Sequence, residues 1–312
     1  MNIIARLGRE DIAQVYIADA GEGKLVEFVE SVEPPIPREK KWVLIVSTLF
    51  GCPVGCPICD AGSEYSGRLS AEQIIFQIDY LIRQRFPSLS IPVEKFKIQF
   101  ARMGEPAFNN NVIDVLELLP EKYEAPGLMP SISTIAPVGT DRFFSHLKEV
   151  KHRLYPKRFQ FQFSIHSTDS EVRQRLIPVK TWNFKQMADY GAELYEPGAR
   201  KIALNFALME GVPIDPEILL SYFDPDIFLV KVTPLNPTFS MMKNGYKSRD
   251  CNNCESDDLI KSIRIAGFEV IVSIGELEEN SIGSNCGQYV SMLKDNTKLP
   301  ENAYSYLLEM IT

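Results

Sequence analysis

Apolar and polar positions along the chain keep switching between two periods. WVLIVSTLF (42–50) is a continuous apolar, β-branched run, as expected for a strand buried on both faces. SAEQIIFQIDYLIRQRF (70–86) follows with a different rhythm. Ser70 stands at the N-cap position and Glu72 and Gln73 fall in the first turn. Ile74, Ile75, Ile78, Leu81 and Ile82 then recur at helical spacing. FKIQFAR (96–102) reads as the next strand, NVIDVLELL (111–119) as a short helix, and PSISTIAP (130–137) as a strand with a helical segment after it. FQFQFSIHS (159–167) alternates as a strand does, and helical patterns cover 169–177 and 183–194. KIALNFALM (201–209), DPEILLSYF (215–223) and IFLVKVTPL (227–235) read as strand, helix and strand. SDDLIKSIRIAG (256–267) is a helix ended by Gly267, and FEVIVSIG (268–275) a last strand.

Such a βα series predicts an α/β fold with a parallel sheet and outer helices. About six core units suggest either a partial barrel or a doubly wound sheet. Both arrangements put functional residues at the C-terminal ends of the strands. Residues 1–40 read as a small strand-rich extension, joined through VEPPIPREKK (32–41) to a core over 41–290, with a helical tail over 291–312. No internal repeat or low-complexity tract interrupts the series.

Composition changes this picture little. A 312-residue chain with 45% hydrophobic and 24% charged residues is ordinary for a soluble globular protein. No apolar run has the length of a membrane span, and the N-terminus does not read as a secretory signal. A cytoplasmic, reducing compartment is therefore expected, where clustered cysteines are metal ligands or redox groups rather than disulfide halves. The net charge of −8 argues against a general nucleic-acid binder. The most basic stretch, from Arg142 to Arg158, reads as a solvated helix face and its return loop.

Chemistry enters directly after the first core strand. FGCPVGCPICDAG (50–62) holds Cys52, Cys56 and Cys59 in the spacing C-x3-C-x2-C. Structural zinc wants four closed ligands, usually in two pairs, and catalytic zinc more often uses histidine. The chain has only His146, His152 and His166. A four-iron cluster held by three thiolates leaves one iron open for a substrate or cofactor. RMGEPAFN (102–109) follows the second strand.

The C-x3-C-x2-C loop resembles the signature of the radical S-adenosylmethionine (SAM) superfamily, and Gly104-Glu105-Pro106 resembles that superfamily's motif for the cofactor's ammonium. The resemblance extends to the RlmN/Cfr group, which methylates carbon 2 or carbon 8 of adenosine in RNA. It is carried, in the family's order, by VSTLFGCPVGCPIC (46–59), RMGEPAFN (102–109), ISTIAPVG (132–139), FSIHSTDSEVRQRLIP (163–178), LNFALMEGV (204–212), TPLNP (233–237) and NCGQY (285–289). It implies a partial (β/α)6 TIM-like barrel, a [4Fe-4S] cluster, S-adenosyl-L-methionine, and a low-potential electron donor such as flavodoxin or ferredoxin. RNA is the partner implied and no membrane is.

The resemblance makes Cys52, Cys56 and Cys59 the cluster ligands, and Glu105 with Gly104 and Pro106 the ammonium site. Ser133, Ser164 and Asn236 match residues that hold polar parts of the cofactor. Read locally, the two serines could instead cap the following helices, and Asn236 could hold a turn between two prolines. Cys286, in SNCGQY, matches a cysteine that is methylated and then gives up a hydrogen to the 5′-deoxyadenosyl radical. Glu30 matches a glutamate assigned a proton-accepting role. Two features depart from the family. Ile45 stands seven residues before Cys52, where the family has a resolving cysteine, and only about 40 residues precede the core where ribosomal members carry a helical domain. Cys251 and Cys254 (DCNNCESDD) have no family counterpart; a substitute thiol, a metal site, a redox pair and idle thiols all remain open. Direct hydrogen abstraction from a peptide, nucleotide or metabolite, and a non-catalytic redox sensor or partner-binding protein, are the competing functional expectations.

Overall fold

The computed structural model describes residues 1–62, 64–249, 257–275, 277–285, 289–295 and 303–311. Three antiparallel strands come first: β1 (Asn2–Arg9), β2 (Ala13–Asp19) and β3 (Leu25–Ser31). Then follow β4 (Lys41–Val46), a small hairpin of β5 (Leu49–Phe50) and β6 (Gly67–Arg68), and α1 (Ala71–Arg85). The series continues with β7 (Lys95–Phe100), α2 (Asn111–Lys122), β8 (Leu128–Thr134), α3 (Asp141–Leu154) and β9 (Gln160–Ser164). Next are α4 (Ser170–Leu176), α5 (Phe184–Leu194), β10 (Ile202–Leu208), α6 (Pro216–Tyr222), β11 (Phe228–Pro234) and α7 (Phe239–Lys243). Finally come α8 (Asp258–Ile265), β12 (Val270–Val272), α9 (Leu277–Ile282), α10 (Tyr289–Asp295) and β13 (Glu309–Met310).

The main sheet runs β12-β11-β10-β9-β8-β7-β4-β3-β2-β1-β13, parallel from β4 to β12 and antiparallel beyond β4. In the parallel part the spatial order is the sequence order, with no reversal. A doubly wound sheet needs a reversal to place helices on both faces. Here α1, α2, α3, α5 and α6 contact one another in succession, so they form one layer on one face. The sheet is singly wound, and its other face is the concave one.

The outer face is apolar because alternate positions of each strand are. Trp42, Leu44 and Val46 of β4 and Phe96, Ile98 and Phe100 of β7 are buried against helices, as are Phe161 and Phe163 beside Tyr190 of α5. α1 starts at the Ser70 N-cap, whose side chain accepts from Gln73 N while Gln73 reaches back to Ser70 N, a complete capping box. The inner positions are polar. Register partners across the sheet include Ile45–Gln99–Ser131, Ser133–Gln162–Ala203 and Ser164–Asn205–Lys231.

The strand-rich extension is not a separate layer, since β3 pairs with β4 and continues the core sheet. Of the tail, residues 291–295 lie in the helix α10. Its described end, β13, is a strand on β1, held by paired hydrogen bonds from Arg6 to Glu309. The basic stretch lies on α3 as expected, with Lys148, Lys151 and Arg153 paired to Glu193, Glu196 and Glu117.

Candidate cluster and cofactor site

The apolar run 42–50 does not stay in one strand. After Val46 the backbone leaves the sheet, because Thr48 N and Leu49 N donate to Met103 O at 2.9 and 3.1 Å. That tie sets the loop holding the three cysteines beside the loop that leaves β7. Gly104 makes the close approach feasible. It has φ +97°, and a Cβ there would sit 2.4 Å from the Leu49 side chain. Pro106 is buried and opens a single 3-10 turn (Pro106–Phe108) that Glu105 caps.

Cys52, Cys56 and Cys59 are all partly buried, and Cys59 N donates to Cys56 O at 3.1 Å. Cys52 and Cys56 pack against a small apolar cluster that includes Val54, Ile58, Ile135, Leu176, Leu235 and Met241, separate from the main core, which keeps water from one side. Burial pushes the Cys52 thiol up to about 11 and the Cys56 thiol up to about 12. Repulsion from Glu105 adds to both, so the thiols stay protonated unless a cationic centre draws them into the thiolate form. Among the described residues no three His, Cys, Asp or Glu side chains converge on a single metal ion. A donor set of three soft thiols spread along one loop fits an iron–sulfur cluster, which presents its irons at separate corners.

Glu105 is buried, and both oxygens are fixed. Oε1 accepts from Ala107 N at 3.1 Å and from Thr134 Oγ1, and Oε2 accepts from Ile135 N at 3.0 Å. Burial raises its carboxyl to about 7, and the three hydrogen bonds oppose the rise. A carboxylate aimed in this way, with lone pairs left over, suits an ammonium group.

Ser133 stands on the inner face one residue before the end of β8, and Ser164 ends β9; both are half-buried. Neither caps a helix. Thr140 precedes α3, and Asp169 caps α4 by accepting from Val172 N. Asn236 is half-buried two residues after β11. Cys286, Cys251 and Cys254 lie outside the described residues.

Glu30 is not brought together with these residues. Its side chain lies on the helix side of β3, where it accepts from Trp42 Nε1 at 3.1 Å and from Arg85 of α1 at 2.8 Å, with Tyr16 close by. Strand alternation therefore turns it away from the face that carries Ile45, Ser133 and Ser164. The glutamate on that other face is Glu27. Fully buried, it pairs with Arg102 (2.6 Å) and accepts from Tyr289 N and Val290 N at 2.8 and 3.3 Å. Arg102 also donates to Ser284 O at 2.6 Å and Gly283 O at 2.9 Å. One ion pair thus grips the chain on both sides of 286–288. Burial pushes the Glu27 carboxyl up, and Arg102 pulls it back.

Asp60 escaped the sequence reading too. It accepts from Phe239 N at 3.1 Å, Ser240 N at 2.8 Å and Tyr304 OH at 2.9 Å, while Thr238 Oγ1 donates to Ile58 O at 3.0 Å. The loop after β4 therefore meets the loop after β11 across the strand ends. Its signal was available only as an acidic residue following the third cysteine.

Known proteins resemble this chain in sequence and in fold. The chain is 27% identical over 215 residues to a "Probable dual-specificity RNA methyltransferase RlmN" of Prochlorococcus marinus subsp. pastoris, covering 66% of this chain and 59% of that protein. It is 25% identical over 285 residues to "Ribosomal RNA large subunit methyltransferase N" of Nitrosopumilus maritimus, covering 86% and 77%. With a "Dual-specificity RNA methyltransferase RlmN" of Halorhodospira halophila it shares 26% over 306 residues, 93% of this chain and 79% of the relative. The chain is a diverged homologue of the RlmN proteins. It spans about three fifths to four fifths of the length of these RlmN relatives. No family model matches it. Its fold superposes on a radical SAM methyltransferase from Sphaerobacter thermophilus with TM-score 0.69 and 19% identity, over 92% of this chain and 80% of that one.

Proposed function

We propose that this chain is a cytoplasmic radical SAM methyltransferase that acts on an sp2 carbon, with adenosine in RNA as its substrate and flavodoxin or ferredoxin as electron donor. The observation that carries the reading is the backbone tie to Met103 O, which sets the three-thiol loop beside Glu105 at the strand ends. The naming of the RlmN relatives as RNA methyltransferases supports the substrate class.

In this reading Cys52, Cys56 and Cys59 hold a [4Fe-4S] cluster and Glu105 receives the ammonium of S-adenosyl-L-methionine. Gly104 and Pro106 fix the loop, and Ser133, Ser164 and Asn236 hold polar parts of the cofactor. When bound, the cluster would supply the single electron for reductive cleavage of the cofactor's sulfonium bond, which is the source of radical chemistry in this reading. The apolar cluster beneath the thiols excludes water from one side. Cys286 accepts and carries the methyl group, and the Glu27–Arg102 pair holds the chain that flanks it. No described helix is long and apolar enough to cross a membrane.

Anaerobic protein reduced with dithionite in the presence of the cofactor is expected to form 5′-deoxyadenosine, and Cys52→Ala to abolish it. Protein isolated with its cluster is expected to carry about 14 Da extra on Cys286, one methyl group in place of one hydrogen. Cofactor cleavage with Cys286 unmodified during turnover on RNA would replace methyl transfer by the second reading. That reading, direct hydrogen abstraction, is favoured by one residue. Ile45, half-buried on the inner face beside Gln99, offers neither base nor nucleophile where the family has a thiol.

A further inference from the structure

Toward the N-terminal ends of the parallel strands the inner face turns basic. Lys41 and Lys95 are register partners at the starts of β4 and β7, and Lys97 is the next inner position on β7. Arg200 stands two residues before β10, and Lys231 is at mid-strand in β11, opposite Asn205. Lys231, Lys95, Lys41 and Arg200 all lie close enough to the Lys97 ammonium to repel it. Lys41 is paired with Glu33, and Glu279 also attracts it. The side-chain ammoniums of Lys95 and Lys97 make no hydrogen bond or ion pair with any described residue, although both residues are only partly exposed. Burial and the surrounding cations push Lys97 down to about 7.

Two neutral groups in the same concavity point the same way. Ser131 Oγ and Asn205 Oδ1 are buried, at 1% and 8% exposure for the whole residues, and neither has a hydrogen-bond partner among the described residues. Ser131 is the register partner of Gln99, one inner step beyond Lys97, and Asn205 is the partner of Lys231. An interior usually pairs its polar groups and avoids grouping like charges. Both rules fail here at one spot, as they do where a ligand completes the site. Several ammoniums at different heights suit a group with more than one negative charge, and lysine serves phosphate as a point charge. The unused Asn205 oxygen is an acceptor, so the same ligand carries a hydroxyl or amino donor.

We propose that this recess binds a phosphate ester of a polyhydroxylated molecule, with the phosphate among Lys95, Lys97 and Lys231 and a hydroxyl on Asn205 Oδ1. No cysteine or Gly-Glu-Pro residue takes part, so the site stands whether or not the radical reading does.

The probe is ribose 5-phosphate, titrated calorimetrically into the full chain, with inorganic phosphate as the second arm. Ribose 5-phosphate is expected to bind more tightly than phosphate alone and to raise the midpoint of thermal unfolding. Lys97→Met is expected to weaken both ligands at least about tenfold, the scale of a lost charge-assisted contact. Asn205→Ala is expected to weaken ribose 5-phosphate and leave phosphate unchanged. Lys148→Met, on the exposed side of α3, is expected to change neither. If Lys97→Met does not fold, Lys95→Met carries the same comparison. Absence of ribose 5-phosphate binding, or an equal loss from Lys148→Met, overturns the proposal.

Discussion

Glu105 and Glu30 are both buried carboxylates, and their surroundings give them different work. Glu105 has no cation among its hydrogen-bond partners, and its carboxyl is raised to about 7. A raised acid takes up its proton in the folded state before it does in the unfolded chain. Its contribution to stability is therefore full below about 4.5, declines as pH rises, and is gone above about 7. Glu105→Gln should flatten that decline. Between pH 5 and pH 8 the difference in unfolding free energy between variant and wild type is expected to move toward the variant by roughly 1–3 kcal/mol, read by urea denaturation at each pH. The same ionisation makes the site fit for an ammonium, so cofactor affinity in the wild type should rise through pH 7 and lose that dependence in the variant. Glu30 has the opposite setting, with Arg85 and the Trp42 indole as donors on the helix side. Glu30→Gln should cost about 2–4 kcal/mol, as when one partner of a buried ion pair is removed. The yield of 5′-deoxyadenosine per folded molecule should stay within about twofold, because no reacting group touches it. A loss of turnover without loss of stability would return Glu30 to the site.

At the scale of elements, the sequence reads well wherever one face of a strand is apolar. Lys95-Phe96-Lys97-Ile98-Gln99-Phe100 displays its alternation outright, and β7 lies where it says. The Ser70 cap and Gly104 are equally legible, because each answers a local backbone need. What stays hidden is long-range. Ser47 and Thr48 look like part of the strand that precedes them, and only the hydrogen bonds to Met103 O end it. Glu27 and Glu30 have the same local flavour in VEFVES, and which one faces inward depends on pairing with β4, which no local pattern encodes. The Gly104–Leu49 contact gives a direct test of the tie between the two loops. Gly104→Ala should destabilise by about 2–4 kcal/mol through overpacking and a left-handed backbone. Adding Leu49→Ala should recover part of that loss despite the methyl groups it removes, measured as a double-mutant cycle. The Glu27–Arg102 pair acts likewise on α10 and α9. Arg102→Met should speed amide exchange at Tyr289 and Val290, whose N–H groups donate to Glu27, by tenfold or more. Arg102→Lys should fall in between.

At the scale of the whole molecule, the decisive fact is that the first and sixth parallel strands send their loops to the same place. Ile58 and Asp60 after β4 meet Thr238, Phe239 and Ser240 after β11, although β7, β8, β9 and β10 lie between them in the sheet. A flat sheet with strands about 4.8 Å apart would hold those loops over 20 Å apart. The contact therefore requires a strongly curved sheet, with its C-terminal strand ends drawn together around one site. Asp60 is the residue where this closure is made, since it also accepts from Tyr304 of the C-terminal segment. Asp60→Ala removes acceptors from two half-buried backbone donors and from the tyrosine hydroxyl without touching a thiol. Stability should fall by about 2–3 kcal/mol. Reconstitution should suffer more than this, with iron per folded chain dropping several-fold, because the loop of Cys52, Cys56 and Cys59 loses its anchor to the far side of the sheet. Asp60→Asn keeps one acceptor oxygen and should restore most of the iron content. Full iron loading in the alanine variant would mean that the loop is held from β4 and Met103 alone, and that curvature of the sheet does not contribute to the cluster site.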